Sequence, residues 1–104
     1  MGDSREKVKQ FPDEPRREIG YQLERVQAGK EAKDWKPMPS VGLGVNEIRV
    51  RDGTGIYRLI YVAKFTEAVC VLHVFQKKAQ KTPKADIDLA RTRFRELIRE
   101  RKQR

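Results

Sequence analysis

Ionisable side chains occupy several positions of the chain where a strand pattern could have placed apolar residues. Glu47 and Arg49 lie in an alternating segment, Arg58 interrupts an apolar one, and His73 lies inside a third. Because burying an unpaired arginine in a sheet is energetically costly, Arg58 must have a partner or line an open groove. Glu47 and Asp52 are the two candidate partners within this set.

These residue types could cleave RNA without a metal. Such cleavage needs a base for the ribose 2′-OH, positive charge at the phosphorus centre, and an acid for the departing 5′-oxygen. Glu47 or His73 could be the base. Arg49, Arg58 and Lys78 could hold the phosphate, since guanidinium groups bind phosphate oxygens in a bidentate fork.

A structural interpretation of the same residues stays open. Glu47 and Arg49 could form a solvent-facing ladder, because many sheets keep one face wet. His73 could be a satisfied core histidine, since histidines are often partly buried. Tyr57 and Tyr61 favour the core over the stacking of RNA bases.

Other chemistries have little support in the sequence. Cys70 is the single cysteine and His73 the single histidine, so no zinc spacing and no internal disulfide framework is available. Walker-type phosphate loops, dinucleotide fingerprints and Gly-x-Ser-x-Gly motifs are absent from the sequence. We therefore expect neither a metal nor a cofactor.

The net charge of +9 is unevenly distributed. Residues 1–52 contain 11 basic and 10 acidic side chains, whereas residues 53–104 contain 13 and 5. A basic half attracts polyanions, so nucleic acid is the leading partner. A membrane surface, an acidic protein or plain solubility would also agree with this charge.

Periodicity predicts the elements that must position these residues. A short helix before Pro12 and a second one from Asp13, its predicted cap, to Gly29 form an N-terminal helical hairpin. Residues 34–44 are rich in proline and glycine, which predicts a connecting loop. Residues 45–51, 56–62 and 69–75 predict an antiparallel meander with a hairpin turn at 52–55. Residues 77–83 predict a basic loop before a long helix that ends near Lys102.

The predicted fold class is therefore α+β, with an antiparallel sheet of three strands, or of four, between the helical hairpin and the C-terminal helix. A chain of 104 residues predicts a single domain over residues 1–104. The polar segment 2–10 lacks the features of a signal peptide, and the apolar runs are too short for a bilayer span. These features predict a cytoplasmic protein without a membrane partner.

Three stretches carry a resemblance to a known family. Residues 45–51 and 55–62 resemble the central hairpin of RelE-type toxins, and residues 71–83 are similar to the HigB-like branch related to phage Gp49. Tyr-Arg-Leu-Ile-Tyr and Phe-x-Lys-Lys-x-x-Lys-Thr-Pro are the most specific motifs. The likeness covers nearly the whole chain, and the order of elements agrees.

This resemblance implies a ribosome-associated endoribonuclease that cuts messenger RNA, and a cognate antitoxin with a helix-turn-helix DNA-binding region. By motif position, basic residues of the central strands would orient the RNA phosphate, and the lysine pair after the last strand would supply a catalytic cation. The corresponding residues here are Arg49, Arg51, Arg58, Lys77 and Lys78. The basic loop and last helix would anchor ribosomal RNA through Lys81, Arg91, Arg95 and Arg99.

Two departures from the family pattern affect these expectations. Relatives usually open with a β-strand, which is expected to be missing or very short here, leaving one sheet edge exposed. Some relatives carry a tyrosine or histidine near the C-terminus, but here no tyrosine follows Tyr61. The general acid and base therefore stay open between candidates.

Two alternative functions remain at this point. One is a non-catalytic inhibitor like the ParE-type relatives, which share the fold and act on DNA gyrase; the other is a basic nucleic-acid-binding module. The placement of Arg58 distinguishes RNA cleavage from both of these alternatives. An open groove that gathers Glu47, Arg49, Arg58 and Lys78 would favour cleavage, whereas a sealed ion pair at Arg58 would disfavour it.

Overall fold

A four-stranded antiparallel sheet lies between helices that pack on its two faces. The computed structural model describes residues 4–63, 69–77 and 83–102. Its elements are α1 (Ser4–Lys9), α2 (Asp13–Gln27), β1 (Trp35–Pro37), β2 (Val45–Asp52), β3 (Gly55–Val62), β4 (Cys70–Lys77) and α3 (Lys84–Lys102). This architecture confirms the predicted α+β class with N-terminal helices and a C-terminal helix.

The strands follow one another in the sheet in the order in which they occur in the chain. Arg49 of β2 lies opposite Arg58 of β3, and Ile60 lies opposite Glu47 on one side and His73 of β4 on the other. Directly opposite residues project to the same face of an antiparallel sheet. The register therefore places Glu47, Arg49, Arg58 and His73 on one face.

The structure corrects two predictions about which residues lie in loops. The segment 34–44, predicted as a loop, contains β1, an edge strand that places Trp35 opposite Ile48. An edge strand tolerates Pro37, whose missing N–H costs no ladder hydrogen bond when it points outward. Lys77, predicted to open the basic loop, is instead the last residue of β4.

The prediction for the C-terminal end of α2 is confirmed, whereas the prediction for its N-terminal end is wrong. Gly29 ends the helix as predicted, with φ of 81°, and the N–H of Lys30 donates to the carbonyl of Arg25 at 2.8 Å. This is the Schellman arrangement that a glycine makes possible. Asp13 does not cap the helix, because it is the first helical residue; its carboxylate accepts a hydrogen bond from Arg16 at 2.7 Å.

Two clusters of buried side chains fill the space on either side of the sheet. The cluster beneath α1 and α2 is apolar and includes Ile19, Ile48, Val50, Tyr57, Leu59, Tyr61 and Val74. The cluster beneath α3 includes Met38, Val41, Val45, Ile60, Val62, Leu72, Phe75, Ala90 and Leu97. Tyr57 and Tyr61 therefore belong to the core, as predicted.

A β-bulge in β4 helps to hold α3 against the sheet. Ile60 lies opposite His73 but Tyr61 lies opposite Val71, so Leu72 has no partner in the register. The Leu72 carbonyl accepts a hydrogen bond from Arg93 of α3 at 2.9 Å. Bulges change the direction of the side chains around them, and this one also supplies an acceptor that anchors the helix.

The turn before β2 supplies a second anchor for α3. The guanidinium of Arg91 donates from Nε and Nη2 to the carbonyl of Ser40, at 2.9 and 2.6 Å. Gly42 lies so close to the ring of Phe94 that an added Cβ would come within 2.3 Å of it. The turn and the helix thus fit closely because residue 42 has no side chain. None of the helices within the described ranges has the length and apolar character needed to cross a bilayer.

Candidate functional site

A buried ion pair joins the two central strands. Arg58 of β3 donates from Nη1 to the Glu47 carboxylate of β2, and the two side chains are 1% and 0% exposed. Lys36 of β1 lies opposite Glu47, with its Nζ 4.0 Å from Oε1 of that carboxylate and its side chain 41% exposed. The neighbours of the carboxylate therefore include a buried cation, Arg58, and a partly exposed cation, Lys36.

The structure distinguishes the two partners that the sequence allowed for Arg58. Glu47 is the partner, whereas the Asp52 carboxylate accepts the backbone N–H of Thr54 in the hairpin turn at 2.8 Å. Hydrogen bonds within that turn lower the pKa of Asp52, and the one from the Thr54 hydroxyl has the largest influence. Because Arg58 is buried in an ion pair within the part of the chain that the structure describes, this conformation disfavours direct contact between Arg58 and an RNA phosphate.

His73 forms a second polar contact beneath α3. Its Nε2 lies 2.6 Å from Oδ1 of Asp86, in the first turn of α3. A carboxylate can only accept, so in the neutral imidazole the proton lies on Nε2. The Nδ1 atom is buried and has no hydrogen-bond partner among the residues that the structure describes.

The protonation state of His73 follows from its burial. Desolvation is the largest influence and lowers the pKa of His73, while the hydrogen bond to Asp86 opposes that shift and the charges of Lys7 and Arg93 reinforce it. The imidazole is therefore neutral at pH 7. The ring stacks against Phe75 with centroids 5.0 Å apart, which makes His73 a core histidine with one unoccupied nitrogen.

Arg49 and Arg51 lie in a different setting, at the outer edge of the sheet. They line a groove of about 790 Å³ between α2 and the second half of β2. The Arg49 guanidinium donates to the Asp34 carboxylate at 2.8 Å, and the Arg49 backbone N–H donates to the Asp34 carbonyl at 2.9 Å. Arg51 is exposed. Neither guanidinium is described in contact with the buried pair.

The predicted anchor on α3 is only partly available to a ligand. Arg91 is engaged by the Ser40 carbonyl, whereas Arg95 and Arg99 are exposed. Glu96 and Glu100 are also exposed on the same helix, so the surface carries both signs of charge. Lys77 ends β4, and Lys78 and Lys81 lie outside the described residues.

The predicted site residues that the structure describes are therefore distributed over the Glu47–Arg58 pair, the His73–Asp86 contact, the edge groove and α3, with Lys77 at the end of β4. Sequence reasoning missed Lys36 and Asp86. Lys36 was hidden in a proline-rich segment predicted as a loop. Asp86 is an acidic residue in the first turn of a predicted helix, where carboxylates commonly stabilise the helix. Its position in the sequence therefore did not indicate a contact with His73. Among the described residues, no group of three or more histidine, cysteine or acidic side chains is placed to hold a metal ion.

Comparison with known families adds a decisive observation. The family model described as phage derived protein Gp49-like (DUF891) matches residues 6–95. The chain belongs to this Gp49-like family. No curated protein gives a significant sequence match to the chain. Membership confirms the resemblance drawn from the strand motifs and is consistent with the RelE/HigB-like toxin superfamily. It suggests, in general terms, a toxin that pairs with an antitoxin.

Proposed function

We propose that this Gp49-like chain is the toxin of a type II toxin–antitoxin system that cleaves messenger RNA on the ribosome without a metal. The observation that carries the proposal is the shared face of the sheet on which the register places Glu47, Arg58 and His73. A carboxylate, a guanidinium and a neutral imidazole are the groups that metal-free RNA cleavage needs. Family membership supports the toxin part of the proposal.

In the proposed reaction the ribose 2′-oxygen attacks the adjacent phosphorus and the 5′-oxygen leaves. A base takes the 2′-OH proton, an acid protonates the leaving oxygen, and a 2′,3′-cyclic phosphate results. Glu47 is the proposed base, with Nδ1 of His73 as the alternative. Arg49, Arg58 and Lys78 stabilise the charge on the phosphate. Since Glu47 and Arg58 are sealed in the described structure, the proposal requires the site to open when RNA binds.

The remaining proposed contacts hold the RNA in place. They are contacts to phosphates, which position a nucleic acid without reading its sequence. The residues proposed to make them are Arg51, Lys77, Lys81, Arg91, Arg95 and Arg99. The whole chain, residues 1–104, would act as one domain in the cytoplasm. A helix-turn-helix antitoxin would inhibit it by covering the sheet face or displacing α3.

A non-catalytic mode is the second candidate, and one observation favours it. The Glu47–Arg58 pair is buried and hydrogen-bonded, as expected for an ion pair with a structural role. A ParE-like inhibitor of DNA gyrase would use the same fold without exposing these groups.

The test is induced expression in bacteria with mapping of messenger 5′ ends. Loss of one partner would leave a buried charge and strongly destabilise the protein, so the informative variant replaces both, Glu47→Leu with Arg58→Met. Such replacements of a buried pair are often neutral for stability. Arg16→Gln, at an exposed position on α2, is the control. The folded fraction of each variant is measured by thermal denaturation.

Each outcome distinguishes the candidates. Codon-phased cuts and growth arrest in the wild type and Arg16→Gln, both lost in a folded double variant, support the proposed chemistry. Cuts that persist in the folded double variant show that the pair is structural and that the base lies elsewhere. Growth arrest without cuts rejects the nuclease and favours the ParE-like mode.

A further inference from the structure

Two cations lie next to the same oxygen of the buried Glu47 carboxylate. Arg58 donates to Oε1 of Glu47 from the neighbouring strand, and the Nζ of Lys36 lies 4.0 Å from that same oxygen. A separation of 4.0 Å is too long for a hydrogen bond, so of these two cations the arginine is the bonded one. An approach of about 1 Å would bond the ammonium to the oxygen that the guanidinium now occupies.

The backbone around Lys36 is fixed, whereas its side chain can move. Lys36 is the middle residue of β1 and lies directly opposite Glu47, so the two side chains share a face of the sheet. The strand is held by its pairing with β2 and, just before it begins, by the Asp34 carbonyl, which accepts the N–H of Arg49 at 2.9 Å. Because lysine carries its charge on a flexible four-carbon stem and this side chain is 41% exposed, the ammonium can follow the carboxylate without movement of the sheet.

The buried pair creates a difficulty for the proposed reaction that such a lysine relieves. Arg58 must leave Glu47 to reach the phosphate, and the buried carboxylate then loses its guanidinium. Loss of one partner of a buried ion pair is strongly unfavourable, and a buried carboxylate that loses its cation tends to take up a proton. A protonated carboxylate could not accept the 2′-OH proton. A second cation within reach lowers the cost of this step and keeps the carboxylate charged.

We propose that Lys36 is the reserve partner of Glu47, whose ammonium takes the oxygen that Arg58 releases, so that the site opens with its base still charged. Lys36 is thus a positioning residue that acts through Glu47 and regulates the opening of the site. Its effect on cleavage rests on the proposed function, whereas the exchange of partners is a property of the folded chain alone.

The exchange of partners is measured by thermal denaturation of the purified full chain, without RNA. In the wild type, Lys36→Met should lower the melting temperature by no more than about 3 °C, because Arg58 still bonds the carboxylate and the lysine is partly exposed. In the Arg58→Met background, where the carboxylate has lost its guanidinium, the same substitution should lower the melting temperature by at least about 8 °C. When Glu47→Leu is added to Arg58→Met, the effect of Lys36→Met should again be small.

Lys9→Met is the matched control for this measurement. The Nζ of Lys9 lies 3.6 Å from Oε1 of Glu6, and both side chains are exposed, so its removal should have an equally small effect in every background. Equal effects of Lys36→Met in the wild type and in Arg58→Met would overturn the inference. It is also overturned if Arg58→Met does not fold while Glu47→Leu with Arg58→Met does, since the lysine then fails to replace the arginine.

The role in opening is measured by the rate of messenger cleavage on ribosomes as a function of pH. Lys36→Met should reduce the rate roughly tenfold, because fewer molecules reach the open state. It should also move the acid limb of the pH–rate profile to higher pH, because the carboxylate is then protonated more readily when Arg58 leaves it. Lys36→Arg retains the charge and should restore both the rate and the profile, and Lys9→Met should change neither.

The two measurements separate the reserve partner from the proposed function. An effect of Lys36→Met that depends on the background, without messenger cleavage by the wild type, would support the reserve partner and reject the nuclease. Cleavage by the wild type that is equally fast and equally pH-dependent in Lys36→Met would reject the role of Lys36 in opening and leave the nuclease standing.

Discussion

The two faces of the sheet are built from the same strands yet differ in chemistry. Beneath α1 and α2, residues such as Ile48, Leu59 and Val74 form an apolar layer. Beneath α3, the strands bury Glu47, Arg58 and His73 among apolar neighbours. A buried ion pair is weak evidence of stabilisation, because desolvation offsets much of the attraction. Apolar clusters account for stability on both faces, and the buried ionisable side chains that distinguish the polar face, beneath α3, from the apolar face are those that the proposed function would employ.

The largest expected effect comes from unbalancing the polar face. Arg58→Ala leaves the Glu47 carboxylate buried without its guanidinium partner, with the half-exposed Lys36 4.0 Å away, and should lower the free energy of unfolding by about 3–5 kcal/mol. The Glu47→Leu with Arg58→Met variant should recover most of that loss. Urea denaturation measures both.

The apolar face provides the control for that prediction. Leu59→Ala removes buried methyl groups and should cost about 2–5 kcal/mol through a cavity. No change of a charged partner can restore this loss. If Arg58→Ala costs less than about 1 kcal/mol, the carboxylate finds water or another partner and the contrast between the faces fails.

A smaller effect is expected where α3 meets the turn before β2. Gly42→Ala would drive a Cβ into the Phe94 ring, and overpacking of this kind should cost about 1–3 kcal/mol. Gly20→Ala in α2 meets nothing within 4 Å and should instead stabilise by about 0.5–1 kcal/mol. Thermal denaturation of the two variants compares the closely packed position at Gly42 with the unconstrained position at Gly20. Equal melting temperatures would contradict the close fit of Gly42.

The smallest effect concerns pH and His73. Burial lowers the pKa of His73 in the folded state below its unfolded value of 6.5, so the unfolded chain binds the proton first as the pH falls. Stability from this group is complete above the unfolded pKa and is lost as the pH falls through the folded pKa. Urea denaturation between about pH 7.5 and 5.5 should show this loss in the wild type, and a shallower dependence in His73→Leu. A slope that is unchanged in His73→Leu would assign the pH dependence to other groups.

Local features of the sequence determined most of the fold. Helical spacing and Gly29 identified α2, and the turn at residues 52–55 with its flanking apolar runs identified the central hairpin. Alternation within β2 also indicated that Glu47 and Arg49 share one face of that strand. These inferences succeeded because periodicity and turn chemistry report the conformation of the segment that contains them.

Only the tertiary structure decided what depends on contacts between distant segments. β1 exists because three residues of a proline-rich segment pair with β2, and no periodicity can be read from three residues. The partners Asp34 for Arg49 and Asp86 for His73 lie 15 and 13 residues away in the chain. Whether Arg58 met solvent or Glu47, and whether Tyr21 and Arg51 lined the same groove, depended on how whole elements pack. A sequence specifies these contacts only through the summed free energy of that packing.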